Sequence, residues 1–97
     1  MFSSVELKET ALRVYNTMKQ PEYQDTFKRG IALAESICAH NTPSEEQLLA
    51  FAAEVTQILR NEIGVELWEA NEQALPEFLS ELNNLLVEEV TSNHNLH

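Results

Sequence analysis

The sequence predicts an all-α fold: a small bundle of four main helices with an extra short helix near Trp68. Three observations support this prediction. The 97-residue chain has two glycines and three prolines, fewer than the tight turns of an all-β domain require. Apolar residues recur at spacings of three and four, without strand-like alternation. A chain this short has room for one core, so residues 1–91 are predicted as one domain, followed by a frayed tail, 92–97.

The first helix is predicted to run from about residue 4 to 19. Ser3 and Glu6 form a capping box, S-x-x-E, in which each side chain accepts a hydrogen bond from the other residue's backbone N–H. The residue before Pro21 is disfavoured in helical geometry, which ends the helix there. The predicted buried stripe consists of Leu7, Ala11, Val14 and Met18.

The second helix is predicted to begin near residue 21 and to reach about residue 40. Its apolar stripe is Tyr23, Phe27, Ile31, Ala34 and Cys38. Gly30 lies mid-helix, where it costs about 1 kcal/mol relative to alanine. The simplest expectation is that another helix crosses closely over it, and the alternative is a kink or the approach of a partner. Cys38 is in register with the stripe and is predicted to be an inert core cysteine. His40 lies two residues further on and points to another face, so the two would not form a nucleophile–base pair.

The third helix has the clearest start signal. Thr42 is predicted as the N-cap, with Pro43 at the first helical position and Glu45 three residues after the cap. The helix is expected to run to about residue 62. Its apolar stripe comprises Leu48, Phe51, Ala52, Val55, Ile58, Leu59 and Ile63, and the face is widened by Leu49, Ala50 and Ala53. This width predicts that the third helix is central in the bundle.

Glycine and proline divide the last third of the chain. Gly64 is expected to end the third helix as a left-handed residue. A short helix, 65–73, then carries Trp68. Pro76 is predicted to start the last helix, which reaches about Val90. Its expected apolar stripe is Leu79, Leu82, Leu85, Leu86 and Val90, with Phe78 nearby.

The charge of the chain is strongly acidic and unevenly distributed. Sixteen acidic and six basic side chains give a net charge of -10. Residues 1–29 hold five of the bases and four acids, whereas residues 30–97 hold one base, Arg60, and twelve acids. Such a field repels nucleic acids and anionic membranes and attracts basic partners. The alternative is that the acids form a solvated surface that aids solubility.

Cysteine use and hydropathy bear on the compartment. A lone cysteine cannot form an intramolecular disulfide, and residues 1–4 lead into a charged amphipathic stretch rather than a signal peptide. No apolar run approaches the roughly 18 to 20 residues of a membrane span. We therefore expect a reducing, cytoplasmic setting and no membrane partner.

No set of residues in the sequence is typical of a catalytic site. Two isolated glycines cannot form a phosphate loop, Asp25 is the only aspartate, and two of the three histidines lie in the tail. We therefore expect a non-enzyme with no catalytic residue, no cofactor and no metal. One alternative is kept: Glu62, Glu66, Glu69 and Gln73 share a helix face if Gly64 does not interrupt it, and such a row can hold magnesium.

Trp68 is the leading candidate for a binding residue. It lies among Glu66, Glu69 and Glu72 in the least regular segment of the chain. Large aromatic residues dominate the energetics of many interfaces, so these four residues are predicted to form part of a contact surface. The alternative is that Trp68 seals one end of the bundle.

These observations favour a non-enzymatic, acidic protein-interaction module: an adaptor, chaperone or inhibitor that binds a protein partner with a basic surface. In size, charge and helical content the chain is similar to nuclease immunity proteins, secretion chaperones and phage-encoded inhibitors. A homodimer that buries the remaining apolar surface is also expected. The alternatives are a nucleic-acid mimic and a small magnesium-dependent helical hydrolase. A mimic needs acids in an ordered row, whereas an adaptor needs acids around an apolar patch.

Overall fold

The computed structural model describes residues 2–95, and their side chains as far as residue 92. This part of the chain contains no strand and confirms the predicted all-α bundle, with four longer helices and one short one. The helices are α1 (Ser4–Met18), α2 (Gln24–Cys38), α3 (Glu45–Ile63), α4 (Val65–Ala70) and α5 (Leu75–Asn95). Two 3₁₀ turns, Pro21–Tyr23 and Glu72–Ala74, connect α1 to α2 and α4 to α5.

The central helix of the bundle is α5, not α3 as the sequence predicted. α5 makes its most extensive contacts with α1 and α2, whereas α3 packs on α2, α4 and α1. The residues expected to widen the buried face of α3, Leu49, Ala50 and Ala53, are exposed. The prediction from the width of the apolar face therefore overestimated how many helices pack against α3.

Hydrogen bonds at both ends of α1 fix its direction relative to α5. The backbone N–H of Phe2 donates to Asn71 Oδ1 at 3.0 Å, just before α5 begins. The Tyr15 hydroxyl donates to Glu89 Oε2 at 2.7 Å, near the other end of α5. α1 and α5 therefore run in the same direction along the bundle.

The capping box of α1 is confirmed, but that of α3 begins two residues later than predicted. Ser3 Oγ accepts from the Glu6 N–H, and Glu6 Oε1 accepts from the Ser3 N–H, both at 3.2 Å. At α3 the N-cap is Ser44, not Thr42, and Ser44 exchanges the same two hydrogen bonds with Gln47. The segment contains two overlapping capping boxes, and serine is the better N-cap of the two.

The end of α2 turns the chain sharply toward α3. His40 has a positive φ of 60°, a backbone conformation that non-glycine residues rarely adopt. Its N–H donates to the Ile37 carbonyl at 3.0 Å, and the Asn41 N–H donates to the Ser36 carbonyl at 2.8 Å. These two bonds form a Schellman motif that satisfies carbonyls of the last turn of α2.

The core contains most of the predicted stripe residues. α1 buries all four of its predicted positions. α5 buries Leu82, Leu86 and Val90 of its predicted stripe, together with Phe78, whereas Leu79 and Leu85 are half-buried. The close crossing over Gly30 is also confirmed. A Cβ atom there would lie 2.9 Å from Leu86 Cδ1 and 3.0 Å from Phe51 Cε1. The missing side chain thus allows α2 to approach both α3 and α5.

The final helix is longer than predicted. α5 begins at Leu75, with Pro76 as its second residue, and continues to Asn95 rather than ending near Val90. The predicted frayed tail, 92–97, is therefore helical as far as Asn95, and its last two residues lie outside the described range. Within the described range, the helices are too short or too polar to cross a membrane.

Candidate functional site

The structure separates Trp68 from the three glutamates predicted to surround it. Trp68 belongs to the hydrophobic core, with its side chain 2% exposed, whereas Glu66, Glu69 and Glu72 are exposed. A partner could reach the indole only if α4 moved. This burial favours the alternative that Trp68 seals one end of the bundle, and a binding role for the glutamates stays a prediction.

Local geometry explains how Trp68 comes to be buried. Gly64 has a φ of 90°, so the chain changes direction there and α4 begins at once. Gly64 thereby interrupts the helical row of carboxylates considered for magnesium. Asn71, just after α4, is buried; its Nδ2 donates to the Leu67 carbonyl at 2.9 Å, and its Oδ1 accepts from Phe2. No local sequence pattern indicates the hydrogen bond between Phe2 and Asn71, because the two residues are 69 positions apart.

A large apolar groove lies where α3 and α5 diverge over α2, and we call it the α3/α5 groove. Its volume is about 490 Å³. α2 supplies Leu33 and Ile37; α3 supplies Leu48, Leu49, Phe51 and Ala52; α5 supplies Leu75, Pro76, Leu79, Ser80, Asn83 and Leu86. Phe51 and Leu86, which meet over Gly30, also contribute to the groove, so its floor is part of the packed core.

The walls of this groove expose aliphatic side chains, and the sequence had placed two of them, Leu48 and Leu49, on the buried face of the third helix. Leu48 is 46% exposed, Leu49 is 62% exposed, and Ile37 is also exposed. The sequence signal for this exposed surface was the unusual width of the apolar face of α3. That face is wider than α2 alone can cover. Exposed aliphatic residues that converge on one concave surface are typical of interaction sites rather than of random surface positions.

Cys38 is exposed, so the prediction of a core cysteine is wrong. Its stripe is buried at Ala34, one turn earlier, but the last turn of α2 extends past the elements that cover Ala34. The neighbouring residues Ile37 and Ala39 are exposed as well. Periodicity identified the buried face of α2, but not the residue at which the neighbouring helices stop covering that face.

The stretches of chain next to the groove carry more carboxylates than bases, and Lys28 and Arg29 on α2 and Arg60 on α3 lie outside its lining. α4, α5 and the turn between them contain seven glutamates and no lysine or arginine. The second half of α2 and the first part of α3, residues 30–59, hold four glutamates and likewise no lysine or arginine. Ser80 and Asn83 are the only polar residues among those that line the groove in the described part of the chain. The lining thus offers an apolar surface with neutral polar groups, within an acidic surround.

Three bases of the N-terminal third are paired with glutamates on α3 and α5. Arg13 pairs with Glu62 at 3.3 Å, Lys19 with Glu89 at 3.6 Å, and Arg29 with Glu54. The same three carboxylates also accept hydrogen bonds from the hydroxyls of Thr17, Tyr15 and Thr26, respectively. These pairs join the basic third of the chain to the acidic remainder and lie outside the α3/α5 groove.

The Tyr15–Glu89 contact changes the titration of the phenol. Burial, the hydrogen bond to Glu89 and the charges of Glu89 and Glu88 all raise the pKa of Tyr15 well above its ordinary value. Lys19 Nζ lies 4.7 Å from the centre of the Tyr15 ring, in a cation–π contact. This cluster connects α1 to α5.

Among the side chains of residues 2–92, no group of three or more His, Cys, Asp and Glu residues is arranged to hold a metal ion. Comparison of the chain with protein family models, curated proteins and solved structures finds no match. Functional inference therefore rests on the geometry of the α3/α5 groove and on the charges around it.

Proposed function

We propose that this protein is a non-enzymatic, acidic interaction module that binds a protein partner with a basic surface through the α3/α5 groove. One observation carries the proposal: a concave apolar surface with exposed leucines has no lysine or arginine among its lining residues and lies next to stretches rich in glutamate. Apolar contact would supply most of the affinity, and the acidic surround would attract and orient a basic partner.

The three glutamates that pair with Arg13, Lys19 and Arg29 argue against a nucleic-acid mimic. Such a mimic presents free carboxylates with the spacing of phosphates, whereas Glu54, Glu62 and Glu89 are each tied to a hydroxyl and a base. Acids next to an exposed apolar patch support the adaptor instead.

A magnesium-dependent hydrolase remains the alternative from another class. Thermal melts with and without magnesium test it, because a cation that binds only the native state raises the melting temperature.

Two further parts of the proposal are compartment and self-association. An exposed, unpaired thiol at Cys38 is compatible with a reducing setting such as the cytoplasm. A homodimer through exposed apolar surface outside the α3/α5 groove stays a prediction. Sedimentation at tens of micromolar tests it, with a dimer expected and a single 11.0 kDa species contradicting it.

The proposed function is tested by capture of partners from an extract of the native host. The bait is the wild-type chain, and the groove variant is Leu48→Gln/Leu49→Gln. A matched control is Val5→Gln/Leu12→Gln on α1, because Val5 and Leu12 are 63% and 48% exposed and lie outside the groove lining. Each pair thus removes two leucine or valine side chains of similar exposure without changing the net charge.

The proposal predicts a protein that wild type and control retain equally and that the groove variant loses. Its binding should also weaken as salt rises, because screening reduces the attraction between the acidic walls and a basic partner. Equal retention by all three baits would contradict the groove as the binding site. Circular dichroism on each variant verifies that its helical content is unchanged.

A further inference from the structure

We infer that the ligand of the α3/α5 groove is a single amphipathic helix of about three turns, with aliphatic anchors on one face and lysine or arginine beside them. This inference rests on the proposed function and specifies the form of the partner. It follows from the kind of walls that the groove has, from its length along α5 and from the distribution of charge around it.

The lining of the groove matches only one of the common modes of peptide recognition. Addition of a strand needs a free sheet edge, and residues 2–95 contain no strand. Proline-rich segments dock on grooves lined with aromatic residues, whereas this lining is mainly leucine with one aromatic residue, Phe51. Recognition of phosphopeptides needs arginine clusters, and the lining contains no base. A helix that inserts its apolar face between other helices remains.

The length of the groove follows from the residues that α5 contributes. Leu75, Leu79 and Leu86 lie along one side of this helix, and eleven residues separate the first from the last. At a rise of 1.5 Å per residue this span is about 16 Å, or three helical turns. A ligand helix of similar length would present anchors at positions i, i+4 and i+7.

Charge specifies the residues beside the anchors. Glu45 precedes Leu48 and Leu49 by three and four residues, so it lies on the same face of α3. Glu72 stands in the turn just before Leu75. Both glutamates are exposed near one end of the groove walls, and none of the residues that line the groove is a lysine or arginine. Lysine or arginine in the flanking positions of the ligand would complement these carboxylates.

The same charges disfavour a second copy of this chain as the occupant. Each copy has a net charge of -10, so placing one acidic surface on another is opposed by repulsion that grows as salt is lowered. A separate basic helix brings the opposite charge. We therefore assign the groove to a partner helix rather than to self-association.

The test uses synthetic peptides as probes and the full-length chain as receptor. The first probe is a 14-residue leucine–lysine peptide with leucine at i, i+4, i+7 and i+11. The second has the same composition in an order that destroys the apolar face, and the third replaces every lysine by glutamate. Calorimetry at low and physiological salt measures the dissociation constants for wild type, Leu48→Gln/Leu49→Gln and Val5→Gln/Leu12→Gln.

The inference predicts that the amphipathic leucine–lysine peptide binds at least tenfold more tightly than either other peptide. The groove variant should weaken this binding at least tenfold, and the α1 control should leave it within twofold. Leu49→Gln alone, at the most exposed groove position, serves if the double variant loses helical content. Equal binding of the two lysine peptides would overturn the inference, because it would indicate charge attraction without an apolar face.

Two other outcomes would also overturn it. Weakening of equal size in the control variant would show that the peptide binds elsewhere. A wild-type dimer that the groove variant converts to monomer would assign the groove to a second copy. The host capture distinguishes failure of this inference from failure of the proposed function. If the groove substitutions abolish capture but no peptide binds, the partner is not a simple basic helix and this inference fails. If the groove substitutions leave capture unchanged, the proposed function itself fails.

Discussion

The Cδ1 atom of Leu86 on α5 lies 2.9 Å from the position that a Cβ atom on Gly30 of α2 would occupy. Phe51 of α3 approaches the same position to 3.0 Å. Three helices therefore meet over one glycine, and their close approach explains why a residue unfavourable in the middle of a helix occurs there. The same meeting point underlies the floor of the α3/α5 groove.

Gly30→Ala is expected to destabilise the fold by about 1 kcal/mol in urea unfolding. Alanine gains about 1 kcal/mol of helix propensity, but overpacking a dense core costs about 1–3 kcal/mol. In a Leu86→Ala background the added methyl group has more room, so the same substitution should cost less or become stabilising. A stabilising effect of Gly30→Ala in the otherwise native chain would contradict the tight crossing.

Ser44→Ala is expected to cost about 1 kcal/mol of stability, because it removes the acceptor for the Gln47 N–H at the start of α3. Thr42→Ala, two residues earlier, is the matched control and should change stability by less than about 0.5 kcal/mol, since Thr42 is exposed and precedes the cap. Urea midpoints of the two variants distinguish the two overlapping capping boxes. A larger loss for Thr42→Ala would place the helix start where the sequence first suggested.

Tyr15 makes stability fall at alkaline pH. Its pKa is raised in the folded protein, so the unfolded chain releases the phenol proton first, above about pH 10. The stabilisation is complete below that pH and is lost as pH rises toward the folded pKa. Tyr15→Phe should lower stability at pH 7 by about 1 kcal/mol but reduce this alkaline decline, whereas Tyr23→Phe should retain the Tyr15 contribution. Urea unfolding at pH 8 to 11 measures both slopes; identical slopes for wild type and Tyr15→Phe would refute the assignment.

Substitution of Trp68 should affect stability, whereas substitution of its neighbouring glutamates should affect partner association. Trp68→Ala is expected to destabilise the fold by about 3–5 kcal/mol, because the indole is buried in the core. Combined substitution of Glu66, Glu69 and Glu72 by glutamine should leave the fold intact and, if these residues attract a basic partner, slow its association at low salt. A Trp68→Ala protein with nearly unchanged stability would restore the tryptophan as a surface anchor.

Local signals predicted much of the helical framework. The Ser3–Glu6 box, the break before Pro21 and the close crossing at Gly30 all depend on neighbouring residues or on an intrinsic backbone cost, so they are legible in sequence. The cap of α3 was ambiguous because Thr42 and Ser44 each begin a capping box. Only the small difference between the two caps and the packing around them decides between such alternatives.

The candidate site was less predictable, because it depends on which helices fail to meet. The stripe of α3 identified Leu48 as buried, but periodicity says nothing about whether a neighbour covers a given turn. Cys38 was misassigned for the same reason at the end of α2. The contacts of Tyr15, Thr17 and Thr26 with glutamates span 28 to 74 residues of sequence, so no local pattern contains them.

Binding in the α3/α5 groove is tested most directly by the rate at which a captured, purified partner dissociates. Loss of buried apolar contacts acts mainly on dissociation, whereas loss of long-range charge attraction acts mainly on association. We predict at least tenfold faster dissociation from Leu48→Gln/Leu49→Gln than from wild type, with an unchanged rate for Val5→Gln/Leu12→Gln. Indistinguishable dissociation rates for wild type and the groove variant would contradict the assignment of this groove as the binding site.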